Sequence, residues 1–79
     1  MKITYDPRYN IAYICLQEKT AQVETIQVSE EMNVDITPDG TIYGIELLNA
    51  NRQLTADNQG KLIVVNEALG ECSEIKLTL

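Results

Sequence analysis

The chain contains no histidine, no tryptophan and no phenylalanine, and each absence narrows what it does. Without histidine it lacks the commonest general base, the commonest metal ligand and every Ser-His or Cys-His arrangement for nucleophilic catalysis. Four tyrosines are the only aromatics, so the core must be built from Ile, Leu, Val and Tyr, which bury less area than the large aromatics. Clustered basic residues are missing too. Lys2, Arg8, Lys19, Arg52, Lys61 and Lys76 stand singly against twelve acidic residues, for a net charge of −6. A nucleic-acid surface replaces phosphate counterions with grouped Lys and Arg, so no nucleic-acid partner is expected. No apolar stretch approaches the ~20 residues of a membrane span. The opening MKITYDPRYN has no apolar run of signal-peptide length. The expectation is a cytoplasmic protein with no membrane partner. Cys15 and Cys72 lie far apart and match no metal or redox spacing, which reads as two reduced thiols.

What is present is small. The 79 residues make one domain (1–79), near the low end of what folds alone. A stability of a few kcal/mol follows, and small domains commonly supplement it by association. The expected state is a homodimer.

Period-two patterning dominates the chain. KITY (2–5) and IAYICL (11–16) flank the turn residues Asp6-Pro7 and Asn10, a first hairpin. The run at 22–28 is β-branched with interleaved polar residues, and its alternation slips around Thr25-Ile26, as at a bulge. MNVDI (32–36) places Met32, Val34 and Ile36 on one face; TIYGIELL (41–48) places Tyr43, Ile45 and Leu47 together. Asn49 reads as the N-cap of a short helix over 49–54. KLIVVNEA (61–68) is open between strand and helix, because Val64-Val65 favours the first and Asn-Glu-Ala-Leu the second. EIKLTL (74–79) alternates strictly. The expected fold is mainly β (α+β): a small antiparallel sheet of four to six strands, one short helix near 49–54, a β core over 1–54 and a C-terminal β arm over 61–79.

DITPDGTIYGIE (35–46) nearly matches a calcium loop, with Asp35, Asp39, Gly40 and Glu46 at template positions 1, 5, 6 and 12 and only Thr37 amiss. A calcium loop sits between helices, whereas both flanks here carry the period of strands. Pro38, Asp39 and Gly40 form a structural turn, since Pro presets its φ, Asp favours the turn and Gly accepts a left-handed backbone. A four-residue loop pairs Ile36 with Thr41, Val34 with Tyr43 and Met32 with Ile45. Asp35 then falls opposite Ile42, roughly 13 Å along the strand from Glu46. The reading is a hairpin, with no metal or other cofactor expected.

Lys2-Ile3-Thr4-Tyr5-Asp6-Pro7 followed by Ala12-Tyr13-Ile14 and Leu16, together with Asp35, Asp39-Gly40, Gly44-Ile45-Glu46-Leu47 and Asn49-Ala50, resemble domain-of-unknown-function family 2283. The resemblance covers residues 1 to about 54. It implies a small β-rich domain without an established enzymatic activity or binding residues. It also implies genes sometimes placed beside those of small toxins, hence an antitoxin-like role. Cys15 stands where members often carry a charged residue, which puts it on the less buried face.

No catalytic residues are expected. Glu24, Glu30, Glu31, Asp35 and Glu46 read as a solvated, aggregation-resistant face. Neither Cys15 nor Cys72, the latter set among acids, has a base to activate it. Gly44 reads as a local bend rather than a close approach by another group. The C-terminal strand, through Ile75, Leu77 and Leu79, either completes its own sheet or pairs with an edge of another chain, as a partner or dimer interface. These features favour a non-enzymatic protein-interaction module that binds a basic protein partner. The alternative is a small-ligand or metal-binding regulatory domain, with a pocket lined by Tyr5, Tyr9, Tyr13 or Tyr43.

Overall fold

The computed structural model describes residues 1–18 and 22–79; Lys19, one of the scattered basic residues, lies outside the described residues. Among the described residues, seven strands follow the period-two segments: β1 (Lys2–Asp6), β2 (Ile11–Cys15), β3 (Glu24–Ser29), β4 (Met32–Ile36), β5 (Ile42–Leu48), β6 (Lys61–Asn66) and β7 (Glu71–Lys76). A five-residue helix, α1 (Ala50–Leu54), and a short 3-10 turn (Asn58–Gly60) connect β5 to β6. The fold is mainly β, as the patterning implies. The strands form a five-stranded sheet in the order β1-β2-β5-β4-β3 and a separate two-stranded sheet, β6-β7. Every pairing is antiparallel. Among the described residues no helix is long and apolar enough to cross a membrane.

Alternation gives the larger sheet two unlike faces. Tyr5, Ala12, Leu47 and Met32 are cross-strand neighbours on one face, and Ile3, Ile14, Ile45 and Val34 lie beside them. Helix α1 covers one end of this face through Ala50 and Leu54. Among the described residues, Ala12, Leu47 and Ala50 are the buried hydrophobics, and no large side chain is fully buried.

The hairpin at 35–46 forms, in a register different from the one expected. Val34 pairs with Ile45, Met32 with Leu47 and Asp35 with Gly44, while Ile36 pairs with Ile42. The displacement is two residues, which leaves each side chain on its own face, so alternation alone does not choose between the registers. The extra residue is absorbed by a bulge at Ile42–Tyr43. That bulge releases Tyr43 from Ile45 and Leu47: its ring lies 6.4 Å from that of Tyr13, on the polar face. The bulge in β3 falls between Gln27 and Ser29, beyond the Thr25-Ile26 slip in the pattern.

Asn49 is not a side-chain cap. It adopts a left-handed backbone (φ 52°) and makes no capping bond. The cap comes from across the fold. Asn10, at the β1–β2 turn, accepts from Asn51 N–H through its side chain at 2.9 Å. Its main-chain carbonyl accepts from Ala50 N–H at 2.9 Å. The Tyr5 hydroxyl donates to the Asn10 side-chain oxygen, Oδ1, at 3.0 Å. On the other flank, the Glu31 carboxylate accepts from Asn49 at 3.0 Å and from Arg52. The Glu31 carbonyl accepts from Gln53 at 2.9 Å and from Leu48 N–H at 3.0 Å. A helix this short does not persist alone; these bonds hold it on the sheet.

Residues 61–66 are a strand. The Asn66 side chain accepts from Ala68 and Leu69 N–H at 3.1 Å, which folds Asn-Glu-Ala-Leu into a tight turn instead of a helix. β7 starts at Glu71 and ends at Lys76, short of the 74–79 span that alternation suggests. Lys61 is the last partner available on β6, pairing with Lys76. Beyond it the chain leaves the ladder, and Leu77 N–H donates to the Gly60 carbonyl at 3.0 Å.

Candidate functional site

The polar face of the larger sheet gathers most of the chain's chemistry. Two rows of residues cross it in register. One runs Gln27, Asn33, Glu46, Tyr13, Thr4; the next runs Thr25, Asp35, Gly44, Cys15, Lys2. Tyr13 leans from the first row across the second. Its hydroxyl donates to one Asp35 oxygen at 2.6 Å, and the Thr25 hydroxyl donates to the other at 2.6 Å. In the first row Asn33 donates to Glu46 at 2.8 Å.

Gly44 makes this crossing possible. A Cβ there would stand 2.3 Å from the Tyr13 hydroxyl and 2.5 Å from the ring carbon bearing it. The glycine therefore marks a close approach by a side chain, correcting the reading of a local bend. The two-residue change of register also brings Asp35 and Glu46 to diagonal positions, roughly 7 Å apart rather than four residues along the strand. Each carboxylate nonetheless has its own partners.

Electrostatically the face holds its protons. Burial, reinforced by the hydrogen bond and charge of Asp35, pushes the Tyr13 hydroxyl well above its ordinary pKa. Hydrogen bonding to Cys15, and then burial, raises that of Tyr43. Neither phenol is poised to release a proton near neutral pH. Cys15 is half-buried on this face and donates to the Gln17 carbonyl at 3.1 Å. Cys72 is exposed on β7.

The carboxylates proposed as one face are divided. Asp35 and Glu46 share the polar face, Glu31 clamps α1, and Glu24 faces Ile36 at the other side of β4. The four tyrosines do not line one pocket. Tyr13 and Tyr43 meet, Tyr5 serves Asn10, and exposed Tyr9 lies beneath the Arg8 guanidinium. Pro38, Asp39 and Gly40 occupy the turn, with Gly40 left-handed at φ 90°. The Asp39 carboxylate accepts from Thr41 N–H at 3.1 Å, from the Thr41 hydroxyl at 2.8 Å and from Thr37.

Ile75, Leu77 and Leu79 do not share one strand. Ile75 lies on β7 opposite Leu62 and is more than half exposed. Leu77 and Leu79 follow the strand and border a groove with Ile3, Tyr5 and Pro7. Thr25, Asn33 and the Asn10 clamp carried no sequence signal beyond their polarity. Asn10 was legible only as a turn residue.

No curated protein and no solved structure matches the chain. A family model described as "Protein of unknown function (DUF2283)" matches residues 2–51, which span β1 through the start of α1. The chain belongs to that family.

Proposed function

We propose that the chain is a non-enzymatic interaction module that works by binding protein. The observation that carries this reading is its surface. The chain exposes 6034 Å², against about 4,800 Å² for a folded monomer of 8.9 kDa. Its radius of gyration is 14.1 Å, where a compact domain of 79 residues has about 12 Å. Part of the surplus is apolar: Val64, Val65, Leu69 and Ile75 are each more than half exposed. Exposed apolar surface on this scale is a docking signature.

The finer reading is an antitoxin-like cover for a basic protein. Three of the six basic residues, Arg8, Arg52 and Lys61, are already paired with acids in the fold. Twelve acidic against six basic residues leave a net charge of −6, which favours a basic partner and fast association with it. The test is affinity capture of the tagged chain from its native cell. A small basic protein should co-purify and leave as salt is raised. Capture of nothing, at low salt as well as high, would sink the reading.

A further inference from the structure

The β6–β7 hairpin is an arm. Its pairing is internal, and its extensive contacts outside the hairpin are with the 3-10 turn at its base, not with a strand of the larger sheet. An isolated two-stranded hairpin is marginal in water, so this arm needs a surface to lie on. Its two faces differ. Leu62, Val64 and Ile75 share one face with Asn66, Ser73 and Glu71; Ile63, Val65 and Cys72 share the other with Lys61, Glu74 and Lys76, where Lys61 and Glu74 form an ion pair at 3.7 Å. The first, with a single charged residue, is the more apolar face.

The body carries the matching surface. Beyond the end covered by α1, the apolar face of the larger sheet runs over Ile14, Ile45 and Val34 to Ile26 on the edge strand β3. Ile14, Ile45 and Val34 are only half-buried, and Ile26 is 44% exposed.

Resting on the interaction reading above, we propose that the occupant of this face is the arm of a second copy of the chain. Two copies exchange arms about a twofold axis, each laying Leu62, Val64 and Ile75 on the other's Ile14, Val34, Ile45 and Ile26. One chain holds both halves of the contact, as an isologous interface requires. The area agrees. A surplus of roughly 1,200 Å² over the monomer expectation exceeds the ≈ 800 Å² that each partner buries in a standard interface.

Sedimentation equilibrium of the full chain and three variants tests the exchange, with far-UV circular dichroism to verify strand content. The wild type should weigh twice 8.9 kDa. Val64→Lys, on the apolar arm face, should weaken association at least tenfold, and so should Ile26→Lys on the sheet. Val65→Lys, on the opposite arm face, should leave the mass unchanged. If Val64→Lys loses the fold, the edge-strand variant Ile26→Lys decides alone. A monomeric wild type overturns the exchange, as does a Val65 variant that dissociates like the Val64 variant, or an Ile26 variant that stays dimeric. A monomer that still captures a basic protein would overturn the exchange and leave the interaction reading standing.

Discussion

Replacing Gly44 by alanine tests how the polar face is built. The new Cβ would meet the Tyr13 hydroxyl at 2.3 Å and two ring carbons at 2.5 and 2.7 Å. The neighbouring atoms belong to the tip of a side chain, so the ring moves and the strand does not. It must retreat by roughly 1 Å to reach ordinary contact, which takes the 2.6 Å bond to Asp35 out of hydrogen-bonding range. A lost hydrogen bond to a charged acceptor costs about 1.5–3 kcal/mol. Removing glycine's freedom in the unfolded chain returns about 0.4–1 kcal/mol. The net expectation is a loss of about 1–2 kcal/mol, lowering Tm by roughly 4–16 °C in a domain of this size. Urea unfolding followed by circular dichroism, at fixed protein concentration because association contributes to apparent stability, measures it. The decisive comparison is a second background. In Tyr13→Val the obstructing ring is gone, and Gly44→Ala should become neutral or slightly stabilising, a coupling of about 1 kcal/mol or more. Equal cost in both backgrounds would refute the close-approach account.

Two further outcomes follow from the helix clamp and the ionisable groups. Asn10→Gly keeps the left-handed backbone (φ 56°) and removes the amide that caps α1, so stability should fall by about 1–2 kcal/mol; a neutral Asn10→Gly would show that the clamp is idle. Hydrogen bonds from Arg8 hold the Asp6 carboxyl below its ordinary 3.8. Those from Arg52 and then Asn49 hold Glu31 below 4.5, and those from Thr37 and Thr41 hold Asp39 below 3.8. Folded values below unfolded ones mean stability that is present at higher pH and lost as pH falls through the folded values. Tm should therefore be flat from about pH 5 to 8 and drop on acidification below about 4.5. Tyr13, raised above 10.0 by burial and Asp35, works in the opposite direction: its contribution is complete below pH 10 and lost above it. Tyr13→Phe should shrink the alkaline decline, and an unchanged alkaline limb would contradict the bond to Asp35.

Much of the fold was legible because period-two alternation assigns faces directly. Ile3, Ile14, Ile45 and Val34 share a face as their spacing requires, and Pro38-Asp39-Gly40 forms its turn. Alternation is blind to a shift of two residues, so it placed Asp35 opposite Ile42 instead of Gly44. A bulge interrupts the period itself, which moved Tyr43 to the other face. The Asn10 clamp links residues 39 and 41 positions apart, a pairing that local propensity does not encode; propensity points only to the adjacent Asn49 as a cap. Gly44 was visible as an anomaly in a strand. Its meaning depended on Tyr13, whose relation to it is set by the pairing of β2 with β5.

If this chain acts through protein contact that covers its surplus surface, as proposed, native mass spectrometry of the complex isolated from its own cell will read it. The expected mass is at least two chains of 8.9 kDa, increased by a basic partner that salt removes. A single chain at 8.9 kDa, unaccompanied at low salt, would contradict it.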